Sequence, residues 1–182
     1  MVAGMERETT GKKQDGINIE IKFIEGYTAT ADDTKVSLKV EFKGSSLGES
    51  TKVETDKTGR LNFNHTFKFA CNFDKDDIDC LCNQPFIISL FEHKSKDKKQ
   101  KEGKVEIVGQ GVFDCLRLLR GESRINKSIV LHRPFCVRSL EPLPHAQISI
   151  YSENPTVTTS EYESSLLLKV YIGSMQHRLF LF

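Results

Sequence analysis

The chain of 182 residues contains no tryptophan, only five prolines and no long apolar run. A helix needs about 20 consecutive apolar residues to cross a bilayer, so the sequence predicts no membrane span. The segment from Met1 to Gln14 is charged and lacks an apolar stretch, which argues against a secretory signal peptide. The net charge of only +1 argues against nucleic acid as a partner, because nucleic-acid-binding domains are usually strongly basic. We therefore expect a cytosolic protein.

The sequence also lacks the short motifs of common enzymes. It contains no Gly-x-Ser-x-Gly, no phosphate-binding glycine loop and no His-Glu-x-x-His. Cys80 and Cys82 have the spacing of half a zinc site, but no second pair of ligands lies at a workable spacing. We expect a non-enzymatic protein with free thiols and with no metal or cofactor.

The chain does contain twelve phenylalanines and many segments in which apolar and polar residues alternate. Alternation with a period of two is typical of a strand with one buried face. In the first segment it predicts that Ile17, Ile19, Ile21 and Phe23 share the buried face. The predicted strands are 17–23, 36–42, 50–55, 61–69, 86–91, 105–113, 128–132 and 146–151.

Two segments have helical patterns instead. Residues 74–82 begin with acidic side chains and end before Pro85, and residues 114–120 have Asp114 as the predicted N-cap and Gly121 as the stop. Gly109 and Gly111 predict a bulge in the strand at 105–113. Many strands without βα alternation indicate an all-β fold: an antiparallel eight-stranded β-sandwich with one or two short helices and a phenylalanine-rich interior.

We predict three regions along the chain. Residues 1–15 have the composition of a disordered segment, residues 16–153 form the sandwich, and residues 154–182 form a linker and a strand-like tail. The tail contains an apolar run at 166–172 and ends in Leu179, Phe180, Leu181 and Phe182. These last four residues are a candidate contact with a partner, and an apolar end with no following element suggests a truncated product.

Residues 62–69 resemble the segment of C2 domains in which an Asn-Glu pair precedes a Phe-x-Phe strand, with His65 in place of the glutamate. The resemblance implies a C2-like sandwich. Calcium sites in such domains need carboxylates from two loops. One loop offers Asp32 and Asp33, but the other carries Glu92-His93-Lys94 and further lysines, which would repel a cation. We therefore expect calcium-independent binding.

A second resemblance covers residues 17–170. The chain resembles the N-terminal region of the family of cilia- and flagella-associated protein seventy. The matching stretches occur in the same order with similar spacing, and their colinearity carries the resemblance. They are residues 25–27, 40–42, 47–52, 76–78, 98–102, 109–112, 114–116, 118–123 and 130–132.

This resemblance implies an axonemal scaffold module of motile cilia and flagella, involved in ciliary motility, length and organisation. It implies location in the cytoskeleton and cytoplasm of the cilium or flagellum. It also implies axonemal protein partners, either microtubule-associated or from dynein-arm or central-apparatus complexes. Family members are longer and carry C-terminal tetratricopeptide repeats, which this chain does not reach. We therefore expect a short form without the function of the repeats.

The strongest local charge feature is a lysine-rich loop between two predicted strands. As a functional site it would meet the acidic surface of tubulin or anionic lipid head groups. As a structural feature it is a solvated hairpin loop that Asp97 and Glu102 partly neutralise. Protein docking is our leading hypothesis, and a peripheral membrane module using this loop is the alternative. The candidate residues are Lys94, Lys96, Lys98, Lys99, Lys101 and Lys104.

Overall fold

The computed structural model describes residues 16–27, 34–72, 75–94, 104–133 and 143–154. It contains eight strands and two short helices. In chain order they are β1 (Gly16–Glu25), β2 (Lys35–Phe42), β3 (Ser45–Glu49), β4 (Leu61–Ala70), α1 (Lys75–Asn83), β5 (Phe86–His93), β6 (Val105–Phe113), α2 (Leu116–Leu119), β7 (Arg124–Val130) and β8 (His145–Ser152).

The strands form two four-stranded sheets in which every pairing is antiparallel. The first sheet has the order β4-β1-β8-β7 and the second has the order β3-β2-β5-β6. Alternate side chains of both sheets meet in one interior. Isoleucines and leucines outnumber phenylalanines among the described core residues, so the prediction of a phenylalanine-rich interior holds for one part of the core only. In that part the ring of Phe86 stacks on Phe42 at 4.5 Å and on Phe113 at 5.4 Å. The predicted antiparallel sandwich and its short helices are confirmed.

The predicted buried face of β1 is wrong at Phe23. The pairing of β1 with both of its neighbours shifts register between Ile21 and Phe23. A register shift of one residue turns the following side chains to the other face. Ile24 is therefore fully buried, whereas Phe23 lies half-buried on the outer face with the Arg60 guanidinium 3.9 Å from its ring centre.

The predicted strand at 50–55 is also wrong, because the strand lies earlier. β3 follows β2 through a two-residue turn in which Lys43 and Gly44 have φ of 52° and 74°. Two consecutive positive φ angles form the type of hairpin turn whose twist matches that of its strands, so β3 pairs with β2 from the residue that follows the turn. Residues 50–55 contribute an isolated bridge between Val53 and Val36 and one backbone hydrogen bond from Ser50 N–H to the Leu38 carbonyl.

The strand predicted at 128–132 begins four residues earlier, at Arg124. Lys127 lies between Ile125 and Ile129 in the alternating row and interrupts the apolar pattern. Its ammonium pairs with the carboxylate of Asp114 at 3.0 Å, which makes a lysine tolerable in that row. Asp114 itself precedes the N-cap residue Cys115, and its carboxylate accepts the N–H of Leu116. The prediction of Asp114 as the cap was therefore off by one residue.

The glycines of β6 let the two sheets approach at one edge. The predicted bulge is confirmed, since the pairing of β5 and β6 shifts register beside Gly109. A Cβ atom on Gly111 would lie 2.8 Å from the carbonyl oxygen of Val130 and 2.8 Å from a methyl of Ile129. Gln110 and His132 exchange two backbone hydrogen bonds of 2.8 Å at the same place. This contact joins β6 of the second sheet to the segment that follows β7 of the first.

Candidate functional site

The lysine-rich segment connects β5 to β6 at one end of the second sheet. The backbone N–H of Lys94 donates to the carbonyl of Lys104 at 2.9 Å, so the pairing continues one step beyond the strands. Both of these lysines are exposed. The other four candidates (Lys96, Lys98, Lys99 and Lys101) lie outside the described residues. The docking role of the segment therefore stays a prediction, and the structure supplies the geometry of its base.

A single carboxylate, Glu106, pairs with both described lysines. Its oxygens accept a hydrogen bond of 2.8 Å from Lys94 Nζ and a second one from Lys104 Nζ. These bonds, from Lys104 first and Lys94 second, lower the pKa of Glu106 to about 2, and the same contact raises the pKa of Lys94. Together with Glu92 on the neighbouring strand, Glu106 leaves the base of the loop close to neutral. The positive charge left for a partner lies on the four lysines between, which only Asp97 and Glu102 oppose.

The second carboxylate at this place, Glu92, belongs to β5. It faces Glu106 across the β5–β6 pairing and is only 6% exposed. The hydroxyl of Tyr27 donates to it at 2.9 Å, and Lys94 Nζ lies 3.8 Å away. Burial, and then the bond to Glu92, raise the pKa of Tyr27 well above its usual value. Sequence reasoning missed this pair, although Glu92 follows Ile88 and Leu90 in the inward row of β5.

The resemblance to C2 domains predicts that any calcium site would lie at this end of the sandwich. Of the expected ligands, Asp32 and Asp33 lie outside the described residues. The described carboxylates Glu92 and Glu106 already have a lysine ammonium and a tyrosine hydroxyl as partners. Among the residues that the structure describes, no group of three or more His, Cys, Asp or Glu side chains is placed to hold a metal ion.

A polar cluster of a serine, a histidine and a glutamate lies on the outer face of the second sheet. His93 Nε2 lies 2.7 Å from Ser37 Oγ, and that hydroxyl donates to Glu49 at 2.5 Å. Burial and the charge of Lys52 lower the pKa of His93, against the opposing effect of Glu49. A nucleophilic serine must give its proton to the histidine. Here Ser37 is fully buried and its proton is directed at Glu49, so the cluster is not arranged as a nucleophilic triad.

Exposed apolar side chains lie on β6, and sequence reasoning missed them. Val105 is 53% exposed, Ile107 43% and Val112 60%. Alternation alone does not tell which of two faces is buried. Phe113 faces the core, so Val112 faces outward. Ile107 also faces outward, because the bulge shifts the inward-outward alternation of β6 by one residue.

The other predicted contact, made of Leu179, Phe180, Leu181 and Phe182, lies outside the described residues and stays a prediction. Four cysteines in the described part form no disulfide: Cys71, Cys80, Cys82 and Cys115. Burial raises the pKa of Cys115 to about 12, so this thiol is unreactive at neutral pH. The two described helices are too short to cross a bilayer, and no described helix is a candidate span.

Comparison with solved structures places the sandwich among C2 domains. A C2 domain of plant Extended Synaptotagmin 1 matches with a TM-score of 0.54 at 12% identity, over 81% of this chain and all of that one. A structure of CC2D1B matches with a TM-score of 0.62 at 14% identity, over 85% of this chain and 62% of that one. Identities this low carry the fold only, and the predicted C2-like fold is confirmed.

Comparison of sequences supports the second resemblance. No protein-family model matches the chain. Cilia- and flagella-associated protein 70 of Macaca fascicularis is 33% identical over 162 residues, and its human counterpart has the same identity over the same length. The match covers 84% of this chain but only 16% and 14% of those proteins. The chain therefore spans about a sixth of the length of the relatives it matches.

Proposed function

Because the chain is related over most of its length to one part of cilia- and flagella-associated protein 70, we propose that it is a non-enzymatic interaction module of the axoneme in motile cilia and flagella. The observation that carries the proposal is the identity of 33% over 84% of the chain. Its role is to hold axonemal proteins together for ciliary motility and organisation. Its partners are microtubule-associated proteins or components of dynein-arm or central-apparatus complexes.

Docking takes place through the lysine-rich loop at the β5–β6 end. Glu106 and Glu92 together neutralise Lys94 and Lys104 at the base, so the four intervening lysines carry the charge that recognises an acidic protein surface. The paired backbones at residues 94 and 104 hold both ends of the loop on a rigid sheet. Electrostatic recognition of this kind is screened by salt, because the Debye length is only about 8 Å at physiological ionic strength.

Binding is independent of calcium. Lys94 Nζ lies within 3.8 Å of both Glu92 and Glu106, so these carboxylates already pair with a positive charge. A divalent cation there would have to displace the ammonium and the tyrosine hydroxyl together. The absence of a nucleophilic arrangement at Ser37, His93 and Glu49 supports a module without catalysis.

Localisation of a tagged full-length chain in a motile-ciliated cell tests the proposal. We expect signal along the axoneme that remains after detergent removes the ciliary membrane. The double variant Lys98→Glu/Lys99→Glu should lose this signal. The matched variant Lys57→Glu/Lys68→Glu makes the same charge change at exposed positions outside the loop and should keep it. A chain absent from the axoneme in its native form would contradict the proposal.

Co-sedimentation with vesicles of anionic lipid separates the alternative function. If the chain is a membrane module, the native chain should bind these vesicles at low salt and the Lys98→Glu/Lys99→Glu variant should not. We expect the native chain to stay in the supernatant while it retains binding to isolated axonemes. Lipid binding without axoneme binding would contradict docking on protein and would support docking on membrane.

A further inference from the structure

The outer face of β5 and β6 carries a strip of apolar side chains. Val112 lies opposite Ile87 and Ile107 lies opposite Phe91, so these two residues of β6 continue apolar residues of β5, whereas Val105 lies opposite His93. Between the two pairs, Gln110 donates a hydrogen bond of 3.0 Å to Ser89, which satisfies the polar groups in the middle. We call this surface the apolar strip; it consists of Ile87, Phe91, Val105, Ile107 and Val112.

The apolar strip lies at the edge of its sheet. β6 is the last strand of the second sheet, and beyond it the described backbone contributes only the bridge between Gln110 and His132. Exposed apolar side chains on an edge strand favour association with another chain, and proteins usually cover such an edge. The outer face of the first sheet differs, since Asn126 and Ser149 hydrogen-bond there beside other polar groups. The exposed apolar residues of the described part are thus concentrated at the β6 edge of the second sheet, and this edge is the one expected to be covered.

The chain itself contains a segment that matches the apolar strip. Residues 166–172 read Leu-Leu-Leu-Lys-Val-Tyr-Ile and lie outside the described part. In an extended conformation Leu166, Leu168, Val170 and Ile172 form one row, and Leu167, Lys169 and Tyr171 form the other. Seven extended residues span about 23 Å, which is close to the distance covered by β6 between Val105 and Val112. The four tail residues 179–182 are too short to cover that length.

The segment can reach the apolar strip from the end of β8. Tyr151 pairs with Arg124 at the start of β7, and the other end of β7 contacts β6, where the Val130 carbonyl lies beside Gly111. The path to Val112 is therefore about one length of β7, or roughly 20 Å. Residues 155–165 can extend over about 36 Å, which is enough for the connection.

We propose that residues 166–172 of this chain dock on the apolar strip, with the row of Leu166, Leu168, Val170 and Ile172 facing it. Docking buries Val105, Ile107 and Val112 and protects the edge strand from association with other chains. This docking does not depend on the proposed axonemal role. A lysine in the facing row would place a charge against the apolar strip, whereas a lysine in the other row would point to solvent.

Methyl NMR of the full chain with a soluble paramagnetic agent tests the proposal. In the native chain we expect the methyls of Ile107 and Val112 to be shielded from the agent and to show contacts with Leu168 and Val170. Leu168→Lys/Val170→Lys should abolish these contacts and expose both methyls. The matched variant Leu167→Lys/Tyr171→Lys should leave them unchanged. Unaltered methyl signals of the core residue Leu38 show that each variant is folded.

Three results would overturn the proposal. The first is that the strip methyls respond to the agent in the native chain as strongly as in Leu168→Lys/Val170→Lys. The second is that Leu179→Lys/Leu181→Lys exposes them instead, which would make the last residues the cover. The third is that shielding disappears on dilution, which would show that a second copy of the chain provides it.

Discussion

The Tyr27 hydroxyl donates a hydrogen bond of 2.9 Å to the buried carboxylate of Glu92, 65 residues further along the chain. The bond ties the segment that follows β1 in the first sheet to the last residues of β5 in the second. It also orders the place where the lysine-rich loop begins, since Lys94 lies 3.8 Å from the same carboxylate. A buried carboxylate thus connects the packing of the sandwich to its candidate docking end.

Replacing Tyr27 by phenylalanine keeps the ring but removes the donor. A buried polar group that loses its partner typically costs about 1–3 kcal/mol, so we expect the free energy of unfolding to fall by that amount. Urea denaturation measures it. Tyr151→Phe is the control, because that half-buried ring keeps its contact with the Arg124 guanidinium and should change stability little. Equal stability of Tyr27→Phe and the native chain would show that the bond is unimportant.

Glu106 should give the native chain a distinct acid dependence. Its pKa is about 2 in the folded state against an ordinary value of 4.5, so its contribution is present above pH 4.5 and is lost as the pH falls towards 2. In Glu106→Gln the loss of stability over this range should be less steep. Because the carboxylate is accessible to solvent, added salt should flatten the native curve too.

Unfolding midpoints measured at several pH values between 2 and 6 check this expectation. The range includes the pKa of Glu106 in the folded state, about 2, and its ordinary value of 4.5. Exposed Glu153 provides the control, since Glu153→Gln should leave the slope of the native chain unaltered. Parallel curves for Glu106→Gln and the native chain would contradict the assigned ion pairs.

Gly111→Ala should weaken the contact between the sheets. The added methyl would lie 2.8 Å from both the Val130 carbonyl oxygen and a methyl of Ile129, so β6 and β7 must move apart. Overpacking of this kind costs about 1–3 kcal/mol, and thermal denaturation should show it. Gly16→Ala is the matched control, with a single contact at 3.3 Å, and we expect a smaller loss. A larger loss at Gly16 would speak against a tight approach at Gly111.

Calcium should leave the stability of the chain unchanged. A ligand that binds only the folded state at 100 times its Kd stabilises it by about 2.7 kcal/mol, which is easily seen as a rise in Tm. We expect equal Tm values in calcium, magnesium and chelator. A rise specific to calcium would contradict calcium independence. Repeating the scan on Lys94→Gln asks whether the ammonium beside Glu92 is what excludes the cation.

Much of the fold could be read from local patterns. Alternation at 36–42 and, apart from His65, at 61–69 predicted β2 and β4 almost to the residue, because each has one face in the core. The pattern failed where a polar residue occupies an inward position. The first half of β7 was not predicted because Lys127 interrupts its apolar row. The ion pair with Asp114 that stabilises Lys127 there joins separate elements and is not visible in the local pattern. β3 was missed because its serines and glycine form a strand only through the hairpin turn at Lys43 and Gly44.

The candidate site was predicted only in outline. The lysines were visible as a run of charge, whereas Glu106 and Glu92 neutralise the base of the loop from opposite strands, and Tyr27 approaches from the other sheet. No local sequence pattern predicts that these three side chains lie together, because their contact depends on strand order and register. The apolar strip was missed for the same reason, since the bulge beside Gly109 decides which side Ile107 takes.

The sequence by itself determined most of the strands, the antiparallel class and the similarity to a ciliary protein, because these depend on local periodicity and on colinear residues. The tertiary structure alone decided which side chains face outward and which charges cancel. Register shifts turn Phe23 out of the core and bring Ile24 into it, and cross-strand pairing places Glu106 between Lys94 and Lys104. Those outcomes follow from contacts between residues far apart in the chain, which periodicity along one strand does not contain.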